Sequence, residues 1–196
     1  MDAATQANGT AATRPQPTAL EQIRDGLPEY ARDLKLNLGS VLTPEGSAGL
    51  SAGQIWSIAV AAAISSRNPA LARQLETAAA EALDASHLRA ARAAAAVMAM
   101  NNVYYRFIHM TGDRGYEQMP ARLRMNAIAS PGVPRNDFEL LSLAVSAING
   151  CGLCVSSHER ALREHGVPAE AIQSAVRIAA VIHAVATVAG YEQQAA

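Results

Sequence analysis

Cysteine occurs only twice in this 196-residue chain, tryptophan once, phenylalanine twice, and lysine only at Lys35. Two cysteines are too few for a secreted disulfide scaffold and point instead to thiol chemistry in a reducing compartment, so a cytoplasmic protein is expected. Aromatic residues make up 4% of the chain and β-branched runs are scarce, which argues against an all-β sandwich. A formal net charge of -1 leaves no basic footprint for nucleic acid. There is no run of about 18 or more uncharged apolar residues, so no membrane span is expected. What the chain has in quantity is alanine, 43 residues of it, within a hydrophobic content of 50%. Alanine is the strongest helix former, and the length suits one domain with a sizeable core.

Met1 to Thr18 is polar, rich in Ala, Thr and Gln, and carries Pro15 and Pro17. It has an acidic Asp2 and no apolar segment, so it reads as a disordered tail rather than a secretory signal. A domain spanning residues 19–196 follows. Leu20, Ile23, Leu27, Tyr30, Leu34 and Leu38 recur at helical spacing, with a break at Gly26-Leu27-Pro28. Gly39 to Gly53 reads as a loop. Helices are expected over Ser51 to Ser66, from Asn68, and over Ser86 to Ile108, the last capped by Asp84 or Ser86. Gly112 to Asp137 holds three prolines and reads as loop with a helical turn around Arg122 to Ala129. Three more helices are expected, over Asp137 to Asn149, Cys151 to His165 and Ala169 to Tyr191. No segment alternates with period two, and the fold class is all-α.

Ile55-Trp56-Ser57-Ile58-Ala59-Val60-Ala61 resembles Leu140-Leu141-Ser142-Leu143-Ala144-Val145-Ser146, and Ala95-Ala96-Val97-Met98 resembles Ala179-Ala180-Val181-Ile182. The offsets are 85 and 84 residues. Two related helical halves in one domain account for both matches. The cysteines belong to the second half alone, opposite Ser66 and Pro69 of the first.

Those cysteines form the C-x-x-C Cys151-Gly152-Leu153-Cys154. The helix before them is apolar nearly all round and should stop at Asn149-Gly150, so the cysteines open the next helix. Unpaired N–H groups and the dipole at a helix start stabilise a thiolate. Positions i and i+3 are close enough for a reversible disulfide. His158 lies one turn beyond Cys154 on the same face, where it can take a proton from the thiol directly or through a water. Glu139 is the one carboxylate among the apolar residues of the preceding helix, placed to hand protons on to His158.

The same residues admit plainer readings. The cysteines can be two core thiols, and Ser157-His158-Glu159-Arg160 a solvated face. Asn136-x-x-Glu139 fits a capping box, as Ser51-x-x-Gln54 does in the first half, and on spacing alone capping stands ahead of catalysis for Glu139. Cys151, Cys154 and His158 would need a further ligand to hold zinc, and His109, His165 and His183 stand alone in the sequence, so no metal is expected. Met98 and Met100, like Tyr104 and Tyr105, read as packing residues.

With these residues in place, the chain resembles the alkyl hydroperoxide reductase D (AhpD) family, within the carboxymuconolactone-decarboxylase-like group. The resemblance runs from about Leu20 to Glu192. It is carried by Leu27-Pro28-Glu29-Tyr30-Ala31 with Lys35-Leu36-Asn37-Leu38, by Met100-Asn101-Asn102-Val103-Tyr104-Tyr105-Arg106, and by Arg124-Met125-Asn126 leading into Pro131-Gly132-Val133-Pro134. Most specific is the run from Phe138-Glu139 through Ser146-Ala147-Ile148-Asn149-Gly150-Cys151 to Cys154 and His158. The resemblance implies an all-helical fold, commonly a homotrimer, with peroxidase and thiol–disulfide exchange activity and no bound cofactor. It implies a dihydrolipoyl group on an acyltransferase as electron donor, a peroxiredoxin as acceptor, and an organic hydroperoxide as substrate. By position, Cys154 resembles the peroxidatic cysteine, Cys151 the resolving one, and Glu139 with His158 the proton relay. One departure stands out: well-known members carry Ser-His between the cysteines, and this chain has Gly152-Leu153. Two rival functions fit the same scaffold, a non-redox decarboxylase-like enzyme using His158 without the cysteines, and a non-enzymatic helical interaction module.

Overall fold

The computed structural model describes residues 18–195; the expected tail, Met1 to Thr18, lies outside them apart from Thr18. The described elements are all helical: α1 (Ala19–Asp25), a short 3-10 turn (Glu29–Ala31), α2 (Arg32–Val41), α3 (Ala52–Ser65), α4 (Pro69–Ala78), α5 (Ala85–Thr111), α6 (Arg114–Gln118), α7 (Asn126–Ala129), α8 (Arg135–Ile148), α9 (Gly152–Glu164) and α10 (Ala169–Ala195). The all-α expectation holds throughout.

Local chemistry starts these helices. Thr18 with Glu21 and Ser51 with Gln54 each form a reciprocal capping box, satisfying donors the first turn leaves unpaired. Asp84, not Ser86, caps α5, accepting from the backbone N–H groups of Ser86 and His87. Bonds from the Ser86 hydroxyl and then from the His87 backbone and ring hold the Asp84 carboxyl well below the usual carboxylate range. Asn68 caps α4 through Leu71 N–H at 3.0 Å, while its amide donates to the Ala186 carbonyl at 3.0 Å and ties the first half to α10. The Gly26-Leu27-Pro28 break separates α1 from the 3-10 turn as expected. Gly46 in the α2–α3 loop lies against the Ser40 carbonyl, which leaves no room for a Cβ.

Two buried helices, α3 and α8, form the centre. Each packs against the other and against the long helices α5 and α10. Ala59, Ala61, Ala62 and Ala63 of α3, Ala91 and Ala94 of α5, Ala144 of α8 and Ala175 of α10 are all fully buried. Small side chains let the backbones approach closely, and Ile55, Ile58, Leu75, Leu162, Ile178 and Ile182 fill the remaining space. The order α3–α4–α5 is repeated by α8–α9–α10, with helices of 14, 10 and 27 residues answered by 14, 13 and 27. This is the two-halved architecture that the sequence matches imply.

Three details differ from the sequence reading. α6 is an extra short helix, started by Asp113, whose carboxylate accepts from Gly115 N–H at 2.8 Å. It is too short to show a periodic pattern. The turn expected over Arg122 to Ala129 is helical only over Asn126–Ala129. Finally, the stretch Ala169–Gln194 of α10 is long and apolar enough to cross a membrane. Half of its most apolar part is buried, and the helix packs on α2, α3 and α8, which is how the core helix of an all-α domain behaves.

Candidate active site

α8 carries Glu139 and ends at Ile148; Gly150 then takes φ +67° and turns the chain into α9. The turn leaves Cys151 as the N-cap, with extended backbone and its N–H donating to the Ser146 carbonyl at 3.1 Å. The Cys151 Sγ accepts the Cys154 N–H at 3.4 Å, occupying the place that a serine or aspartate oxygen fills at other helix starts. Cys151 and Cys154 are joined in a disulfide, their Cα atoms 5.3 Å apart. The i, i+3 spacing read from the sequence therefore does bring the sulfurs into bonding contact.

The two sulfurs are not equally placed. Cys151 is fully enclosed, whereas Cys154 is 7% exposed and lines a cleft of about 530 Å³. Glu139 and His158 line the same cleft. The His158 Nδ1 lies 2.7 Å from the Glu139 Oε2, with both side chains largely buried. Where the carboxylate is ionised it can only accept, which puts the proton on Nδ1 and leaves the lone pair on Nε2. Such a histidine is oriented as a base, with Glu139 positioned to stabilise it after it takes a proton. Arg135, four residues before Glu139, places its Nε 3.9 Å from the Glu139 Oε1, but it is largely exposed and screened.

The structure corrects the capping expectation for Glu139. α8 starts at Arg135 with Pro134 as its N-cap and no side-chain cap bond. Proline fixes φ and has no N–H to satisfy, so the helix begins ahead of Asn136 and the Asn136–Glu139 box does not form. Glu139 falls in the second turn, its carboxylate free for His158. Ser51 and Gln54, the matching pair of the first half, do form their box.

Sequence reasoning missed the far wall. Met98, Asn101 and Tyr105 face the cleft from α5, Met125 from the N-cap of α7 and Ile128 from α7 itself. Met98 and Tyr105 were expected only to pack. Asn101 is 4% exposed; its Nδ2 contacts the Met125 sulfur at 3.3 Å and its Oδ1 has no partner among the described residues. An asparagine pair, Asn101-Asn102, deep in an apolar helix was the available signal. His109, His165 and His183 take no part in the cleft: the His165 Nδ1 lies 2.6 Å from the Ala161 carbonyl, and the His183 Nδ1 3.1 Å from the Ser66 hydroxyl. Among the described residues, no group of three or more His, Cys, Asp or Glu side chains converges as metal ligands would.

Comparison with known proteins shows the family. The chain is 55% identical over 170 residues to the alkyl hydroperoxide reductase AhpD of Rhodospirillum centenum, covering 87% of this chain and 90% of that protein. The chain belongs to the AhpD family. A Bradyrhizobium sp. AhpD is 54% identical over 168 residues, or 86% of this chain and 91% of its own length. That of Coxiella burnetii is 49% identical over 175 residues, or 89% and 99%. The sequence model of the carboxymuconolactone decarboxylase family matches residues 115–191. In this AhpD-family chain that segment contains α8, α9 and most of α10, hence Glu139, both cysteines and His158.

Proposed function

We propose that this protein is an antioxidant thiol–disulfide oxidoreductase that reduces organic hydroperoxides with its Cys151–Cys154 pair. The observation that carries the reading is the meeting of Cys154 with the Glu139–His158 pair in one cleft. In the reduced protein, His158 takes the Cys154 thiol proton through Nε2, directly or by way of a water. The thiolate attacks the terminal peroxide oxygen, the O–O bond breaks, and the alkoxide leaves as alcohol after taking the proton back from His158. Cys154 is now a sulfenic acid. The Cys151 sulfur displaces its hydroxyl as water and closes the disulfide. A dithiol donor then attacks the disulfide. Because Cys154 borders the cleft and Cys151 is enclosed, attack falls on the Cys154 sulfur, Cys151 leaves as thiolate, and the donor's second thiol then displaces Cys154 from the mixed disulfide to leave the donor oxidised. The N–H groups at the start of α9 stabilise that leaving thiolate.

By family resemblance, the donor is a dihydrolipoyl group on an acyltransferase, the electrons pass on to a peroxiredoxin, and the protein works in the cytoplasm as a homotrimer. An uncovered patch supports assembly: Phe107 and Met110 of α5, Tyr116 of α6 and Met119 just after it are exposed, and the Phe107 and Tyr116 rings stack edge-on at 5.1 Å. Light scattering of the purified protein is expected to give three times the chain mass; a monomer at micromolar concentration would remove the trimer. The Gly152-Leu153 pair leaves no histidine between the cysteines, so the relay rests on Glu139 and His158.

The direct test is alkylation followed by intact mass. Alkylated after unfolding, the reduced protein is expected to take up two alkyl groups, and protein first treated with one equivalent of a hydroperoxide to take up none. Unchanged alkylation after peroxide would favour the decarboxylase-like or non-enzymatic readings.

A further inference from the structure

A second cleft, apart from the one that holds Cys154, is of similar size. It measures about 560 Å³ and lies where the C-terminal ends of α3 and α8 meet, with Ser65 and Asn149 in contact across it. Ala95, Ala96 and Ala99 of α5 floor it, leaving the room that larger side chains would fill. Its polar lining is one-sided in charge. Arg67, Arg92, Arg106 and His183 border it, with Ser66 and Asn149, and no carboxylate does. Arg92 is neutralised by a two-bond pair with Glu76 at 2.9 and 2.7 Å. Arg106 is held in place, donating from Nη1 to the Asn149 carbonyl at 2.7 Å, and among the described residues its other N–H groups have no partner. Asn149 is itself fixed by a bond from its amide to the Asn102 Oδ1 at 2.9 Å. Among the described residues, nothing bonds or pairs with the Arg67 guanidinium.

Arg67 is unusual in its backbone as well. It sits two residues past the end of α3 with φ +59°, in the left-handed region. The corresponding place after α8 is Gly150 at φ +67°, and Gly112 and Gly166 serve after α5 and α9. Glycine takes this conformation without steric cost, whereas an arginine there is strained. Arg122 takes the same conformation (φ +52°) outside this cleft, so what sets Arg67 apart is that its unpaired guanidinium borders the cleft.

We infer that this cleft binds a small organic oxyanion, a phosphate monoester or a dicarboxylate, between Arg67 and Arg106. Arginine forks suit both acceptors, the alanine floor receives the apolar body, and the volume suits a metabolite-sized ligand. The site lies apart from the Cys154 cleft, and the inference does not depend on the peroxidase reading.

Calorimetric titration of the full-length oxidised protein with glycerol 3-phosphate, and separately with succinate, distinguishes the two oxyanions. Saturable binding of at least one, at millimolar affinity or better, is expected. Arg67→Gly should weaken it about tenfold, the loss of one charge-assisted contact, and should raise the melting temperature by relieving the strained turn. Arg160→Ala, in the Cys154 cleft, should leave it unchanged. No saturable heat with either probe, unaltered binding by Arg67→Gly, or loss of binding in Arg160→Ala would each overturn the assignment.

Discussion

Replacing Cys154 by serine is expected to abolish turnover of an organic hydroperoxide with dihydrolipoamide, lowering the rate by on the order of 10³-fold or more. A serine hydroxyl does not ionise near neutral pH, so neither His158 nor the helix start can make it a nucleophile toward oxygen. Cys151→Ser should also stop turnover, but at a different point. With Cys154 intact and reachable from the cleft, that variant should convert one equivalent of hydroperoxide to alcohol and then halt as a sulfenic acid, which dimedone traps. Cys154→Ser should convert none, because its remaining thiol is fully enclosed. The asymmetry rests on the placement of the two sulfurs, one bordering the 530 Å³ cleft and one shut away behind it. The opposite pattern, a single equivalent from Cys154→Ser and none from Cys151→Ser, would exchange the two roles. Steady turnover by either variant would remove the dithiol mechanism.

The second large effect is expected at Glu139. Glu139→Gln should lower kcat/KM at neutral pH by about 10²-fold, the lower range for a positioned proton-transfer group. Glutamine matches the shape, and its carbonyl oxygen can still accept from the His158 Nδ1. What it cannot supply is the negative charge that stabilises the histidine once it holds the thiol proton. Activity should therefore recover in part as pH rises, when solvent begins to ionise the thiol without help. Because Pro134 rather than Asn136 caps α8, the substitution removes no cap, and the melting temperature should stay close to that of the parent. Unchanged kcat/KM would exclude the relay. A loss of activity that tracks a large loss of stability, with no recovery at high pH, would assign Glu139 a structural role instead.

Much of this was legible in the chain itself. Alanine content and helical spacing give an all-α fold, and the repeated segments give its two halves. The pair Ser51–Gln54 caps α3 because capping is a contact between residues three apart, which sequence displays directly; Thr18, read as the end of the tail, instead caps α1 with Glu21. The Cys151–Cys154 pair and the one-turn step to His158 are local for the same reason. Spacing misled at Glu139, where the pattern of a capping box is present but a proline two residues upstream of Asn136 moves the helix start. Glu139 and His158 are 19 residues apart on two helices, and their 2.7 Å contact depends on how α8 packs on α9.

The sequence by itself determined the secondary structure class, the helix starts with their own caps, and the dithiol, because each depends on periodicity or on groups within about one turn of each other. Only the tertiary structure decided which sulfur meets the cleft, that Glu139 serves His158 rather than its own helix end, and that Met98, Asn101, Tyr105, Met125 and Ile128 wall the site. It alone brought Arg67, just past α3, and Arg106 of α5 to one alanine-floored cleft. Exposure and long-range contact are properties of packed helices, and packing is a relation between residues that no local pattern contains.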